Sequence, residues 1–280
     1  MSNSLNLFEI AKKSRMVTLI FWFLIASFFA DTNGFGSRVI IMDVGQGDAI
    51  LIQDSGYNFL IDCGYDDAAL YKIYSYTQFG NNKIDILIIS HPHYDHIGGC
   101  LDIIDRFDIG EVWINDVDYE LIEWEVLRSL ESVRLVEKGD IVSTDNLLFE
   151  VLFPFENGEM VGNNVNNASI VLLLESEHNR VLFTGDAEAP VETLLLNEFN
   201  LRMEKDDSSF KIDLLKAGHH CSKSSSSQSF LQIINPDIAV CSAGLDNKFN
   251  HPSPEVIDRF ELLGIDYHIT FLDGDYIFDL

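Results

Sequence analysis

The chain has 280 residues, 47% of them hydrophobic and 22% charged, enough apolar side chain to bury a core as one large domain or two small ones. Forty-five acidic residues against 18 Lys and Arg leave a formal net charge of −27. No basic stripe of the kind that grips duplex DNA through its phosphates is present, so strong duplex binding is not expected. The acidic excess reads first as a solubilising surface, and no repeat or disorder-prone tract interrupts the chain.

Residues 1–36 stand apart. Lys12, Lys13 and Arg15 precede an uncharged apolar run from Met16 to Ala30, which Asp31, Asn33, Gly34 and Gly36 break. A one-sided basic flank before an apolar run is the layout of an export signal. The run, about fifteen residues, is short for an independent membrane span and long for a cleaved signal. Cleavage after Ala30 would place Phe28 where a small residue is preferred, so an uncleaved signal anchor and a cleaved signal both stay open. Either way residues 37–280 are expected to form one domain outside the cytoplasm, anchored in the membrane or exported.

Arg38 to Val44 and Ala49 to Gln53 read as strands around the turn Gly45-Gln46-Gly47-Asp48, and Tyr57 to Asp62 as a third. Ile84 to Ser90 is apolar except for Asp85 and its last residue, the pattern of a strand buried on both faces. Gly98 to Phe107 reads as a helix, Glu111 to Ile114 as a strand, and Tyr119 to Ser132 as a helix with Leu121, Ile122, Trp124, Leu127 and Leu130 along it. Strands follow at Leu147 to Phe153, Ser169 to Leu174 and Arg180 to Thr184, then a helix from Pro190 to Phe199. Ile212 to Ala217 is a strand running into His219 and His220; Gln228 to Ile234 is a helix, Ile238 to Ser242 a strand, Pro254 to Leu263 a helix. Tyr267 to Leu272 and Tyr276 to Phe278 read as a hairpin around Asp273-Gly274. Strands followed by alternating units predict an α/β layered fold with helices outside sheets.

The chemistry concentrates in Ser90-His91-Pro92-His93-Tyr94-Asp95-His96-Ile97-Gly98-Gly99. Four potential ligands, His91, His93, Asp95 and His96, follow a buried strand at once, where a short loop can turn them toward one point and a helix would disperse them. Imidazole and carboxylate together suit zinc or a similar divalent ion. Asp186 ends another apolar strand in a Gly-Asp turn. The four cysteines, Cys63, Cys100, Cys221 and Cys241, contain no C-x-x-C pair; in an exported domain one or two disulfides could form, with partners left open.

The His-x-His-x-Asp-His segment resembles the signature of the metallo-β-lactamase superfamily. Asp43-Val44-Gly45-Gln46-Gly47-Asp48-Ala49, Asn166-Asn167-Ala168-Ser169, Thr184-Gly185-Asp186, Lys216-Ala217-Gly218-His219-His220-Cys221-Ser222 and Asn250-His251-Pro252 are similar to segments of the extracytoplasmic hydrolase domain of ComEC-type DNA-uptake proteins. The resemblance implies a four-layer αββα sandwich and one or two divalent ions, zinc before manganese. It would give His91 and His93 to a first ion, Asp95 and His96 to a second, and Asp186 to both. One of His219 and His220 would complete the second site, His220 being favoured. Asp62 would brace the metal loop, with Asp43, Asp48, Asn167 and Ser169 as substrate contacts or supports. Lys216 and His251 would lie near the mouth and contact substrate, a metal-activated water attacking. ComEC-type domains often carry Asp where His93 stands, so that position is nearer the wider superfamily.

Two departures stand out. No His occurs from position 97 to 177, where many members supply a further ligand to the first ion; Asn166-Asn167 occupies that place, and His178 reads as a hairpin tip. Cys221 stands where Gly is usual and reads as a small filler rather than a soft ligand. The expected function is a metal-dependent hydrolase of phosphodiesters, a small molecule or single strand being the expected substrate. Hydrolysis of a lactone, thioester or β-lactam on the same site is the second reading, and a non-catalytic envelope-anchored metal-binding module the third. With at most one membrane segment the chain cannot form a DNA channel, and its oligomeric state is open.

Overall fold

The computed structural model describes residues 36–78, 80–205 and 210–280. The basic flank and apolar run read as a signal or anchor lie outside the described residues. Among the described residues no helix is long and apolar enough to cross a membrane.

Strands β1 (Arg38–Ile41), β2 (Ile50–Asp54) and β3 (Tyr57–Ile61) form an antiparallel meander, followed by helix α1 (Ala68–Tyr76) and strand β4 (Lys83–Ile88). The short helices α2 (Tyr94–Ile97) and α3 (Cys100–Arg106), strand β5 (Asp108–Ile114), helix α4 (Ile122–Arg128) and strand β6 (Val133–Leu135) complete the first half. The second half holds β7 (Ile141–Ser143), β8 (Leu148–Phe153), β9 (Val171–Glu175), β10 (Arg180–Phe183), α5 (Ala189–Lys205), β11 (Leu214–Lys216), α6 (Gln228–Ile234), β12 (Ile238–Cys241) and α7 (Pro254–Leu263). β13 (Asp266–Ile269), α8 (Thr270–Asp273) and β14 (Tyr276–Asp279) end it.

The strands make two seven-stranded sheets, ordered β14-β1-β2-β3-β4-β5-β6 and β13-β12-β11-β10-β9-β8-β7. Period-two alternation sends Val39, Ile41, Ile50, Ile52, Phe59, Ile61, Ile86 and Ile88 inward, where they meet Phe149, Val151, Leu172, Leu174, Val181 and Phe183 of the facing sheet. Phe59 and Phe149 pack across that interface with ring centroids 4.6 Å apart and planes tilted by 41°. The opposite faces bury Leu60, Leu87, Ile89 and Val112 under Ile73, Ile103, Trp124 and Leu127 of the first sheet's helices. On the other side, Leu173, Leu182, Leu215 and Ala239 lie under Val191, Leu195, Phe230 and Phe260. Three apolar layers between four structural ones are the αββα sandwich, and β4, apolar on both faces, lies mid-sheet between the parallel strands β3 and β5.

Three expectations change. The C-terminal segments are not a hairpin: β13 runs parallel to β12 in the second sheet, whereas β14 runs antiparallel to β1 in the first. Between them α8 turns the chain, and Gly274 at φ 83° lets it leave for the open edge of β1. Tyr119 to Ser132 is helical only over α4, because Leu121 is extended (φ −149°, ψ 134°) and sets the helix start. The His-rich segment is also not all loop: Asp95 and His96 sit on the single turn α2, whose brevity keeps its side chains together.

Candidate metal centre

The candidate residues converge at the carboxyl ends of parallel strands from both sheets. β3 ends at Asp62, β4 leads into Ser90 and His91, β10 into Asp186, β11 into the 3-10 turn Gly218–Cys221, and β12 into Ser242. The loops are interlocked: Ile170 N–H donates to Ser90 C=O at 2.9 Å, and Asp186 N–H to Ser169 Oγ at 3.0 Å. The turn between β1 and β2 packs so tightly on the metal loop that a Cβ at Gly47 (φ 134°) would stand 2.1 Å from the Asp95 carbonyl oxygen. Only glycine fits there.

Asp62, at φ 58° and fully buried, accepts hydrogen bonds from Ser90 N–H (2.7 Å), Ser90 Oγ–H (2.6 Å) and His96 Nδ1 (2.8 Å). His96 is thereby turned with Nε2 toward Asp186 Oδ1, 3.4 Å away. His220 is oriented in the same manner: Nδ1 donates to Ser242 C=O at 2.9 Å, and Nε2 faces Asp95 Oδ2 (3.3 Å) and Asp186 Oδ2 (3.5 Å). His91 Nε2 lies 3.8 Å from Asp186 Oδ2 and 3.0 Å from His93 Nδ1.

Four overlapping groups have donor atoms within 4.8 Å of one another, and two of them, His91–His93–Asp186 and Asp95–His96–His220, leave out Asp48, the ion-pair partner of Lys216. Ligands about 2.1 Å from one ion stand roughly 3–4.2 Å apart, and the separations of 3.0, 3.3 and 3.8 Å within these groups fall in that range. His96 Nε2, His220 Nε2 and Asp186 Oδ1 are buried and make no hydrogen bond. Buried polar atoms are otherwise paired, so these converging donors fit one or two divalent cations. Nitrogen and carboxylate oxygen donors suit zinc, manganese or iron better than calcium.

The titration tendencies agree. Burial opposes charge on His220, but Asp186 and Asp48 outweigh it and lift the imidazole to about 9. Burial likewise opposes charge on His96, and Asp186 and Asp62 raise it. Asp186 would rise on burial, yet His220 and His96 hold it well below the usual carboxylate range. Protons on these rings thus occupy the electrostatic place of a cation. His91, which burial drives well below its ordinary value, is left neutral.

Of the two adjacent histidines, His220 joins the second group and His219 does not. Residues 219 to 221 all have left-handed φ (49°, 54° and 61°), so neighbouring side chains diverge. His219 instead places Nδ1 3.2 Å from Glu188 Oε1 and Nε2 3.9 Å from Asp186. Asn166 lies against its ring, with Oδ1 buried and unpaired. Asn167 Oδ1 accepts from Glu188 N–H, a support to the loop rather than a lining residue. Asp43 caps its own turn through Gly45 N–H and also stays off the cavity.

Lys216 is a correction. It is not at the mouth; its side chain is fully buried and its Nζ lies 2.7 Å from Asp48 Oδ2. A charge at the end of an apolar strand looks like a surface residue until the partner is seen. His251 does line the cavity. Cys221 is no filler: it is bonded to Cys241, as Cys63 is to Cys100. The cavity, about 320 Å³, is lined also by Gln46, from the Asp43-to-Asp48 loop expected to contact substrate, and by Tyr94, Tyr119 and Phe249, which were not singled out as site residues from sequence.

Residues 42–244 match the metallo-beta-lactamase superfamily. The chain is 28% identical over 247 residues to ComE operon protein 3 of Bacillus subtilis, covering 80% of this chain and 30% of that protein. It is 28% identical over 245 residues to Competence protein ComA of Neisseria gonorrhoeae, covering 87% and 32%. It therefore spans about a third of the length of these curated relatives. The crystal structure of the metallo-beta-lactamase fold protein YhfI from Bacillus subtilis superposes with a TM-score of 0.57 at 12% identity, over 87% of this chain and 99% of that one, a likeness of fold alone. A sequence match over most of the described domain, on the αββα sandwich that carries the two histidine–aspartate groups, places this chain in the metallo-beta-lactamase superfamily.

Proposed function

We propose that this chain is a metal-dependent hydrolase of phosphodiesters, with single-stranded nucleic acid among its substrates. The observation that carries the reading is Asp186, whose two carboxylate oxygens face both ligand groups at the floor of an open cavity. When bound, divalent ions supply the Lewis acidity that activates water and stabilise charge on the transferring phosphoryl oxygens.

The protein's own part is orientation. Asp62 and the Ser242 carbonyl fix the ring planes and tautomers of His96 and His220. Gln46 Nε2, buried without a partner beside the cavity, is a free donor for a substrate oxygen. Burial, then His219 and His220, lower His251 to about 4, so near neutrality the ring is neutral and its unpaired Nδ1 meets a substrate as donor or acceptor according to its tautomer. Among the described residues the cavity lining holds no Lys or Arg. In a chain of net charge −27, attraction for a phosphate then rests on bound cations, which favours short or single strands over long duplex.

Placement outside the cytoplasm belongs to the same proposal. It is supported by the apolar run before residue 37, by the competence-protein relatives, and by the pairing of all four cysteines.

The test is turnover of single-stranded DNA, a bis-aryl phosphate and nitrocefin, side by side, by the zinc- or manganese-loaded chain. Phosphodiester turnover that falls at least about a hundredfold in Asp95→Ala and Asp186→Asn is expected. Turnover of nitrocefin alone, or phosphodiester turnover indifferent to both substitutions, refutes it.

A further inference from the structure

We propose that Phe249, with Lys248 beside it, is a stacking platform for a nucleobase of a single-stranded substrate, adjoining the phosphodiester at the metal centre. The inference rests on the phosphodiester reading above and adds the residues that select the substrate.

Phe249 lines the cavity yet is 51% exposed, and the loop that presents it is held rigidly. Asn247 Nδ2 donates to the carbonyls of Gly244 (2.9 Å) and His251 (2.6 Å), and its Oδ1 accepts from the N–H of Phe249 (3.2 Å) and His251 (2.9 Å). Gly244 N–H is tied to Gln46 Oε1 at 3.2 Å, which joins this loop to the turn under the metal groups. A singly exposed apolar ring is ordinary on a protein surface, but this one lines the cavity beside the candidate metal groups, and that placement points to a ligand face.

The aromatic surface is continuous. The Phe249 ring lies nearly parallel to His251 (21°, centroids 5.6 Å apart), and His251 stands 6.4 Å from His220. Across the cavity Tyr119 meets the edge of His93 at 5.6 Å, and Tyr94 is 39% exposed. A flat ring laid on Phe249 thus lies on an aromatic series that leads inward to the metal groups. The cavity's 320 Å³ is at the small end of ligand sites, about 300–1,000 Å³, room for a nucleotide rather than a helix.

Charge completes the fit. Lys248 Nζ lies over the Phe249 ring, 4.8 Å from its centroid, so a base takes that face by displacing the ammonium toward its flanking phosphate; among the described residues the cavity lining itself offers no ammonium or guanidinium. The lysine can pair with a backbone phosphate flanking the stacked base. Stacking tolerates any base, so the platform gives preference for single strands without sequence specificity.

The experiment compares kcat and KM of the full manganese-loaded chain on a short thymidine oligonucleotide and on the same strand made abasic. Phe249→Ala is expected to raise KM for the base-bearing strand about 5- to 150-fold, with kcat and the abasic KM changing by less than about threefold, and Phe249→Trp to restore the wild-type KM. Lys248→Ala should flatten the salt dependence of binding by about 0.7 in log–log slope. Equal KM values for wild type and Phe249→Ala on the base-bearing strand, or a rise in KM shared by the abasic strand, overturn the platform while leaving the phosphodiester reading in place. A metal-replete wild type that cleaves neither strand overturns both.

Discussion

Replacing Lys216 by Met isolates the one fully buried lysine–carboxylate pair among the described residues. Lys216 Nζ and Asp48 Oδ2 are 2.7 Å apart with side chains 0% and 1% exposed, and Nζ also donates to the Ala217 carbonyl. Burial would raise the Asp48 carboxyl, but Lys216 and then His220 hold it well below its ordinary value. Removing the ammonium leaves a buried carboxylate without its main counter-charge, which costs about 3–5 kcal/mol. At about 2–4 °C per kcal/mol for a domain of this size, the melting temperature should drop by about 6–20 °C. The pH dependence distinguishes this from lost packing. A carboxylate with depressed folded pKa contributes stability above its unfolded pKa, near 3.9, and loses it as pH falls through the lower folded value. Without Lys216, burial has lost its largest opponent and Asp48 takes up a proton more readily than in the wild type, so the variant's deficit shrinks as pH falls through the variant's higher folded value. Circular-dichroism melts of chelator-treated wild type, Lys216→Met, Asp48→Asn and the double variant measure this. The double variant should recover much of the loss, because neither group is left charged and alone. A deficit that does not vary with pH, or single effects that simply add, would refute the reasoning.

Two further outcomes follow from the metal groups. The Cys221–Cys241 bond spans 20 residues and flanks both partners of the His220–Ser242 hydrogen bond. Replacing both cysteines by Ala should cost about 3 kcal/mol, or about 6–12 °C, and weaken metal affinity at the Asp95–His96–His220 group in a chelator competition; unchanged affinity would count against a role for the disulfide in holding His220. In the metal-stripped chain His220 titrates near 9. Its raised folded value means that its stabilising contribution is complete below about 6.5 and is lost as pH climbs through 9. Metal requires the neutral ring, so apparent affinity should rise by up to about tenfold per pH unit across that window, with proton release detectable by calorimetry in buffers of different ionisation enthalpy. A pH-independent affinity would remove His220 from the ligand set.

What was legible in the sequence was local, and what was not depends on contacts distant along the chain. His91, His93, Asp95 and His96 could be read together because strand, turn and ligand types are consecutive, and β4 because its apolar run admits a burial pattern for both faces. Lys216 was expected at the mouth because burying an ammonium is tolerable only beside a carboxylate, and that carboxylate, Asp48, belongs to the other half of the fold. The hairpin expected around Asp273-Gly274 failed for a related reason. A Gly turn between two β-prone segments is compatible with pairing to each other or to separate sheets, and the free edges of β12 and β1 decide. His219 and His220 are chemically identical neighbours, and only the left-handed backbone and the Ser242 carbonyl separate them. Phe249 has no sequence signal, since an exposed aromatic in a polar loop looks like any other until a cavity is found beneath it. The ligands are thus legible where chemistry is dense in sequence, whereas their orientation and the substrate-facing rim are assembled by topology. Asp62 and Ser242 show why: each orients a histidine from a different strand end, so the geometry exists only once both sheets have closed on one another.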